Sequence, residues 1–380
     1  MSQESKKILL FTTAFKPLVG GSEIAIEEIA QRLPDIVFEV VTARFDRHHK
    51  KTERIGNIRI HRLGLGFKFD KYLLPILGYL KGRELVKGKE QITNIKCAHA
   101  YQASYGAMAA YLLKKKYPAL KFILTLQEGK DFDRQSWLLK LVRKIIIKRA
   151  DLITAISKYL KNFAEYISQK NNVILIPNGV DLTIFKRDGL EGSALKQSLS
   201  IKEEERIVIT VSRLVEKNGI GVLLKAFALM QEKLDIKTKL VIIGDGPLRI
   251  RFEQAVNDLS LDKKVLMLGE IDHEELPRYL SMADVFVRHS LSEGLGNAFL
   301  EAMACDLPVI ATPVGGIIDF IEDGKTGLLT NINDVENLCT KIGQVLIDIE
   351  LKRKLIENGK KLVVETYDWH GIAQKMGQIY

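Results

Sequence analysis

Apolar residues in the first half of the chain form short runs that alternate with segments of helical spacing. Strands are predicted at 7–13, 37–43, 58–63, 95–98, 122–126, 151–156 and 173–176. Helices are predicted at 22–32, with Ser22 as the N-cap, and at 103–116. Strands that are apolar throughout and separated by helices are typical of a parallel sheet covered on both faces.

The same alternation restarts in the second half. Strands are predicted there at 206–211, 240–243, 265–268, 285–287 and 309–311, and late helices at 335–347, 351–364 and 369–380. The charged segment 179–205 has no clear periodicity and is predicted to be a linker. With 380 residues, we expect two doubly wound α/β domains, 1–180 and 181–365, followed by a helix over 366–380.

Residues that could carry chemistry follow the predicted strands. Ligands of doubly wound sheets bind at the carboxyl ends of the strands, and two such domains in tandem form a cleft there. The residues at these positions are Gly20, Gly21, His99, Gln127, Ser157, Arg213, Lys217, Gly244, Glu293 and Glu301.

The stretch 293–330 organises the second half. A turn of small residues, Gly294 to Asn297, leads into a helix predicted over 298–305. Glycine turns and helix N-termini favour bound anions. Glu293 and Glu301 flank this anion site, so we expect them to bind hydroxyls of a nucleotide sugar, one on the sugar and one on the ribose. The alternative is that two exposed glutamates flank an ordinary helix.

Basic residues and glycines mark two further strand ends. Arg213 and Lys217 suit a diphosphate leaving group whose charge must be neutralised, with a solvated loop as the alternative. Gly244 begins a turn that lacks the third glycine of a dinucleotide fingerprint. Gly20-Gly21 lacks the Walker lysine, and we interpret it as a turn near substrate or as a purely structural turn.

Histidines and acidic residues leave several alternatives open. His99 is a general base, a ligand of a donor hydroxyl or phosphate, or a structural histidine. His289 is expected to support the Glu293 turn. The sequence Asp131-Phe132-Asp133 is similar to a metal-binding acidic pair of another class of sugar-transferring enzymes, but so short a match is common by chance. We therefore expect no metal.

Charge is unevenly distributed along the chain. Residues 1–180 contain 32 Lys+Arg and 16 Asp+Glu, whereas residues 181–380 contain 25 and 31. The basic half is expected to meet an anionic partner. The basic amphipathic segments 71–89 and 138–152 favour an anionic membrane surface, with core packing and a solvated basic face as the alternative. Nucleic acid is not expected, because few aromatic residues are interleaved with the basic runs.

Composition limits where the protein acts. An apolar content of 46% and a charged content of 27% are typical of a soluble globular protein. Cys97, Cys305 and Cys339 are widely separated, so neither disulfides nor structural zinc are expected. We expect no signal peptide, and no apolar stretch is long enough to span a bilayer. We expect a cytoplasmic protein, with peripheral association at the inner face of the cell membrane.

Several motifs together resemble a known family. They are "PLVGGSE", "TAIS", "IPNGVDLTIF", "VSRLVEKNG", "VIIGDGP", "ADVFVRHSLSEGLGNAFLEAMACDLPVIATPVGGIIDFIEDGKTGLL" and "YDWHGIAQKMGQIY". This set resembles the retaining GT-B glycosyltransferases of family 4, the glycogen-synthase-like group 1 transferases. The resemblance implies two Rossmann-like domains, with the last helix crossing back to the first. It also implies a nucleotide-sugar donor held by the second domain and metal-independent transfer with retention.

The resemblance also implies residue roles. Arg213 and Lys217 would hold the diphosphate, Glu301 the ribose and Glu293 the donor sugar. The expected donor-binding set is Gly21, Arg213, Lys217, Gly244, Ile271, Glu293, Gly294, Leu295, Gly296, Asn297, Ala298 and Glu301. Gly21 would approach the diphosphate or the acceptor, and Ile271 would lie beside the base. The expected catalytic residues are Glu293, Arg213, Lys217, His99 and Gln127.

Three positions depart from the family pattern. Gln127 stands where many members have a histidine that contacts the donor sugar, and glutamine cannot relay a proton. A front-face route, in which the leaving phosphate accepts the acceptor's proton, tolerates this change. His289 replaces a usual proline and Asp306 a usual glycine.

The expected function is transfer from a UDP- or GDP-sugar to a glycan, a lipid-linked acceptor or another hydroxyl acceptor of cell-envelope polysaccharide. No cofactor is expected beyond this donor substrate. The alternatives are a GT-B-fold epimerase or phosphorylase, or a non-catalytic module that binds nucleotide sugars or glycans.

Overall fold

The chain folds into two compact units, each built around its own sheet. The computed structural model describes residues 6–18, 20–87, 94–129, 137–170 and 173–380. The first unit comprises Met1–Asn178 and Trp369–Tyr380, and the second comprises Gly179–Asp368. The acidic segment 131–133 lies outside the described residues.

The first unit contains an eight-stranded sheet with helices between its strands. Its strands are β1 Lys6–Phe11, β2 Ile36–Ala43, β3 Thr52–Ile55, β4 Ile58–Leu63, β5 Ile95–Tyr101, β6 Lys121–Leu126, β7 Leu152–Ala155 and β8 Val173–Leu175. Its helices before residue 179 are α1 Gly21–Gln31, α2 Asp70–Lys87, α3 Tyr105–Lys116, α4 Trp137–Arg149 and α5 Lys158–Ser168. The strand order is β3-β4-β2-β1-β5-β6-β7-β8. All neighbouring strands are parallel except β3, which runs antiparallel to β4.

The second unit contains a six-stranded sheet in the order β11-β10-β9-β12-β13-β14, with every neighbouring pair parallel. Its strands are β9 Arg206–Val211, β10 Thr238–Ile243, β11 Val265–Gly269, β12 Val285–Arg288, β13 Val309–Ala311 and β14 Leu328–Leu329. Its helices are α6 Gly189–Ser198, α7 Ile220–Lys233, α8 Arg249–Asp258, α9 Leu276–Ser281, α10 Asn297–Ala304, α11 Val335–Ile347 and α12 Ile349–Thr366. The predicted fold class, two parallel-sheet α/β domains, is confirmed.

The last helix, α13 (Trp369–Ile379), belongs to the first unit. Its apolar face buries Trp369, Ile372 and Met376 in the core that also contains Ile26 and Ile29 of α1. The chain therefore leaves the first unit after Asn178, completes the second, and returns at Trp369.

Three local predictions were wrong. Helix α1 starts at Gly21, with Gly20 as its N-cap, and the Ser22 hydroxyl donates to Glu23 Oε1 (2.9 Å) instead of capping the helix. Strand β5 continues through His99 to Tyr101, so His99 does not end a strand. The segment predicted to be a linker, 179–205, contains α6, whose first turn is capped by the Asp188 carboxylate.

Candidate functional site

Two neighbouring strand ends of the second unit bring together the loops that carry Arg213, Lys217 and Glu293. Strand β9 leads into the loop that carries Arg213 and Lys217, and the adjacent β12 leads into the Glu293 loop. Leu291 N donates to Lys217 O (2.6 Å), and Lys217 Nζ lies 3.5 Å from Ser292 O. The loop with the two cations and the loop with the acid are therefore fastened together by hydrogen bonds.

Glycines permit this close approach of backbones. A Cβ on Gly219 (φ +66°) would lie 1.8 Å from His289 O, and a Cβ on Gly315 (φ +55°) would lie 1.8 Å from Glu293 O. Both positions have a left-handed backbone conformation, which other residues adopt at a cost. The backbone of the segment from His289 to Glu293 is thus in close contact with Gly219 at one end and with Gly315 at the other.

The Glu293 carboxylate is held by Arg288, the last residue of β12. Arg288 Nη2 lies 2.5 Å from Glu293 Oε2, and Gly294 N donates to Glu293 Oε1 at 3.2 Å. Both charged side chains are largely buried. Glu293 therefore has a fixed direction before any ligand arrives.

The predicted anion site is the start of α10. This helix begins at Asn297 after Gly296, which has φ +95° and serves as its N-cap. Gly294, Leu295 and Gly296 are buried, whereas Asn297 and Ala298 are half-buried. The amides of the first turn lie at the positive end of the helix dipole, which favours a bound anion. The geometry is suited to a phosphate group.

Glu301 lies one turn into α10 and is 6% exposed. Its Oε1 lies 2.9 Å from His273 Nε2, and the His273 ring lies 5.0 Å from the ring of Phe185. His273 follows β11 by four residues, and the half-buried Ile271 belongs to the same connecting segment. The Glu301–His273 pair thus connects the segment after β11, where Ile271 is predicted to lie beside the base, to α10, where Glu301 is predicted to bind the ribose.

Gly244 adds a third strand-end loop to this group. Its φ is +124°, and a Cβ there would lie 2.1 Å from Ser212 O, just beyond the end of β9. Leu214 N donates to Asp245 O at 2.9 Å. Arg213 itself is exposed and Lys217 is half-buried, so both cationic side chains have access to solvent.

His99 lies in the core of the first unit. Its side chain is fully buried, with Nδ1 2.8 Å from Tyr380 Oη and Nε2 2.6 Å from Thr125 Oγ1. Burial lowers the pKa of His99 to about 3. Because both ring nitrogens are engaged inside the core, these contacts favour the structural alternative for His99.

Gln127 follows the end of β6, as predicted, and Gly21 lies after the loop that follows β1. Gln127 Nε2 donates to Asn178 Oδ1 (3.1 Å), and Asn178 Nδ2 lies 3.3 Å from Gln127 Oε1. This reciprocal amide pair orients Gln127, which is half-buried. Gly21 is the first residue of α1 after the β1 loop.

Three contributors to the site of the second unit were missed by sequence reasoning: Asn218, His273 and Arg288. Arg288 offered a signal, because a charged residue ends an otherwise apolar strand five positions before Glu293. Asn218 and His273 gave none, because the side chains that they contact, Arg288 and Glu301, are distant in sequence. Among the residues that the structure describes, no group of three His, Cys, Asp or Glu side chains is placed to hold a metal.

Comparison with known proteins identifies the family. The model "Glycosyltransferase Family 4" matches residues 19–184, and "Glycosyl transferases group 1" matches residues 193–362. N-acetyl-alpha-D-glucosaminyl L-malate synthase of Bacillus anthracis is 29% identical over 373 residues, covering 96% of this chain and 94% of that protein.

Solved structures share the fold across the whole chain. Sucrose-phosphate synthase from Thermosynechococcus elongatus matches with a TM-score of 0.85 at 23% identity, covering 99% of this chain and 98% of that one. Anabaena HepE in complex with UDP-glucose matches with a TM-score of 0.82 at 19% identity, covering 98% of each chain. The two family models together span both units, and the chain belongs to the group 1 (family 4) glycosyltransferases of the GT-B fold.

Proposed function

We propose that the protein is a retaining, metal-independent glycosyltransferase that uses a nucleotide diphosphate sugar, with UDP or GDP as the nucleotide. The observation that carries the proposal is the convergence of three strand-end loops in the second unit. These loops combine two accessible cations, a helix N-terminus and two oriented carboxylates. Such a set matches the charges and hydroxyls of this donor.

Each group has a role in donor binding. Arg213 and Lys217 neutralise the diphosphate as it becomes the leaving group, which lowers the energy of the transition state. The amides at the start of α10 bind a phosphate oxygen. Glu301, oriented by His273, accepts hydrogen bonds from the ribose, with Ile271 beside the base. Glu293 accepts hydrogen bonds from hydroxyls of the transferred sugar.

Transfer follows a front-face route. The bond from the anomeric carbon to the phosphate oxygen breaks, and the acceptor oxygen bonds to the same face of the sugar. The proton of the acceptor hydroxyl passes to the departing phosphate oxygen, so no side-chain base is required. This route fits a core position for His99 and a glutamine at position 127, whose amide binds a sugar hydroxyl. Retention rests on the family resemblance.

A donor screen followed by product analysis tests this function. A panel of UDP-, GDP- and ADP-sugars is compared by thermal shift, because a ligand of the native state raises its melting temperature. With the selected donor and candidate acceptors, NMR then gives the anomeric configuration of the product. We expect the same configuration as in the donor. An inverted product contradicts retention.

Glu301→Ala supplies the matched test of the site. We expect donor affinity to fall about 10- to 100-fold, as for the loss of hydrogen bonds to a charged group. Glu357→Ala, an exposed glutamate on α12, serves as the control. Equal donor affinity of the two variants contradicts the site. A changed sugar without acceptor, or a requirement for free phosphate, favours the epimerase or phosphorylase; binding without turnover favours the non-catalytic module.

The first unit supports an anionic partner through two surface helices. Helix α2 exposes Tyr72, Ile76 and Leu80 at helical spacing, and Phe69, just before the helix begins, is also exposed. Helix α4 exposes Trp137 and Leu141 together with Lys140, Lys144, Lys148 and Arg149. Apolar stripes beside cations bind the interface of anionic bilayers. The enzyme acts in the cytoplasm at the inner face of the cell membrane, on lipid-linked or carbohydrate acceptors of the cell envelope.

Vesicle flotation tests the membrane proposal. Vesicles with anionic lipid should carry the protein at low salt, and neutral vesicles should not. Ile76→Glu, on the exposed stripe of α2, should weaken flotation several-fold. Ile250→Glu is the control, because Ile250 is similarly exposed but lies on α8 of the second unit. The membrane proposal is wrong if the two variants float equally well, or if the wild-type protein does not float with anionic vesicles. In the described ranges, no helix has the length and apolarity needed to cross a bilayer.

A further inference from the structure

Arg288 is a charged residue in an otherwise buried strand. The residues before it in β12, Val285, Phe286 and Val287, are completely buried. The Arg288 side chain is only 11% exposed, as is that of Glu293. A charge at such a position costs free energy unless it is paired and hydrogen-bonded. The groups that Arg288 contacts therefore indicate what the charge does at this position.

The guanidinium bridges two loops of the candidate site. One nitrogen, Nη2, contacts both Glu293 Oε2 (2.5 Å) and Asn218 Oδ1 (3.2 Å). Asn218 is buried, and its Nδ2 donates to Arg213 O at 2.6 Å. A continuous chain of hydrogen bonds therefore runs from the Glu293 carboxylate to the backbone of Arg213.

The same side chain also contacts the start of α10. The Arg288 guanidinium carbon lies 6.0 Å from the centre of the Phe299 ring, within the range of a cation–π contact. Phe299 lies in the first turn of α10, whose N-terminus is the proposed phosphate site. Arg288 thus contacts three parts of the proposed donor site: the Glu293 carboxylate, Asn218 in the cationic loop, and the first turn of α10.

We infer that Arg288 is a positioning residue that sets the direction of the Glu293 carboxylate and couples it to the Arg213 loop. This inference rests on the proposed function. With one oxygen bonded to Arg288 and the other to Gly294 N, Glu293 keeps lone pairs for sugar hydroxyls, since a carboxylate offers about four acceptor positions. A planar guanidinium suits this arrangement, whereas a lysine ammonium is a point charge.

Double-mutant kinetics test the inference. The variants are Arg288→Met, Glu293→Gln and the two combined, with Arg353→Met, an exposed ion-paired arginine on α12, as the control. We expect Arg288→Met to lower kcat about 10- to 100-fold, with KM for the donor within about threefold. The combined variant should be no slower than Glu293→Gln by more than about twofold, because Arg288 acts through Glu293.

Arg288→Lys is the conservative variant. It keeps a cation for Glu293 but cannot reproduce the planar geometry, so kcat should lie between those of the wild type and Arg288→Met. If Arg288→Met does not fold, Asn218→Ala tests the link without removing a buried charge. That variant should lower the affinity for a nucleoside diphosphate at least about threefold, because the Arg213 backbone loses its support.

The outcomes separate the inference from the function that it rests on. If Glu293→Gln is impaired while Arg288→Met keeps wild-type kcat, the inference is wrong and the donor site stands. If the effects of the two substitutions multiply, Arg288 does not act through Glu293 and the inference is again wrong. If the wild type transfers no sugar from any donor, the proposed function fails first.

Discussion

At the scale of single residues, two buried histidines have pKa values far below that of a free imidazole. Burial lowers the pKa of His99 to about 3 and that of His289 to about 4. His289 Nε2 accepts a hydrogen bond from Asn333 N (2.8 Å), which also requires the unprotonated nitrogen. Both residues therefore stay neutral in the folded protein at neutral pH.

These pKa values predict acid sensitivity. Near pH 6.5 and below, the unfolded chain protonates both imidazoles while the folded protein does not, so the free energy of unfolding falls as the pH drops. We expect a loss on the order of 1 kcal/mol per pH unit and per histidine between about pH 6 and pH 4. Urea unfolding at pH 7.5 and pH 5.0 measures this loss.

NMR provides the site-specific readout. The ring signals of His99 should not shift between pH 5 and pH 8, because its folded pKa lies below this window. A titration of His99 with a midpoint between pH 6 and pH 7 would show that the imidazole reaches solvent and would reopen a catalytic role.

Sequence reasoning recovered the polar residues at strand ends better than their partners. Arg213, Lys217 and Glu293 were predicted to lie near one another, because neighbouring parallel strands end at one edge of a sheet, and the structure brings their loops together. The partner of Glu301, His273, depends on side-chain packing that no local pattern encodes. The partner of Glu293, Arg288, was marked only by its charge at the end of an apolar strand. His99 was misplaced because the end of β5 was predicted three residues early.

At the scale of elements, α6 shows why a helix can escape detection. Its sequence, GLEGSALKQS, contains two glycines and has little amphipathic pattern. The helix forms because Asp188 accepts from the amides of Leu190 and Glu191, and because Gly192 packs against Ser281 of α9. A cap and a tertiary contact outweigh weak intrinsic propensity here.

The two glycines of α6 predict opposite effects of one substitution. A Cβ at Gly192 would lie 2.8 Å from Ser281 C, so Gly192→Ala should destabilise the protein by about 1–3 kcal/mol through overpacking. A Cβ at Gly189 meets no atom within 4 Å, so Gly189→Ala should be neutral or stabilising by up to about 1 kcal/mol.

Chemical denaturation of the two alanine variants measures both effects in one helix. We predict that the two substitutions change the free energy of unfolding in opposite directions. Helix propensity alone would not produce this result, because alanine is a better helix former than glycine at either position. If Gly192→Ala is as stable as Gly189→Ala, α6 does not pack against α9 as described.

At the scale of the whole molecule, the sequence was sufficient for the two parallel sheets. Apolar strands that alternate with helices leave few topologies open, and family motifs occur in both halves. The return of α13 to the first unit was implied by the family resemblance, and Trp369 and Met376 of this helix are buried there. Edge strand β3 was missed because its side chains are exposed or half-buried and three of the four are polar, as is common at sheet edges.

The central claim is that the loops after β9 and β12 bind the diphosphate of a nucleotide sugar. Calorimetric titration of UDP and GDP into the wild type, Arg213→Ala/Lys217→Ala and Lys233→Ala/Lys237→Ala tests it most directly. The two double variants lose the same charge from the same unit. Lys233 and Lys237 are exposed and lie just before the start of β10, whereas the proposed site lies beyond the ends of β9 and β12. We expect the first variant to lose at least about 100-fold in affinity, and the control less than about threefold. Equal affinities of the two variants would contradict the account.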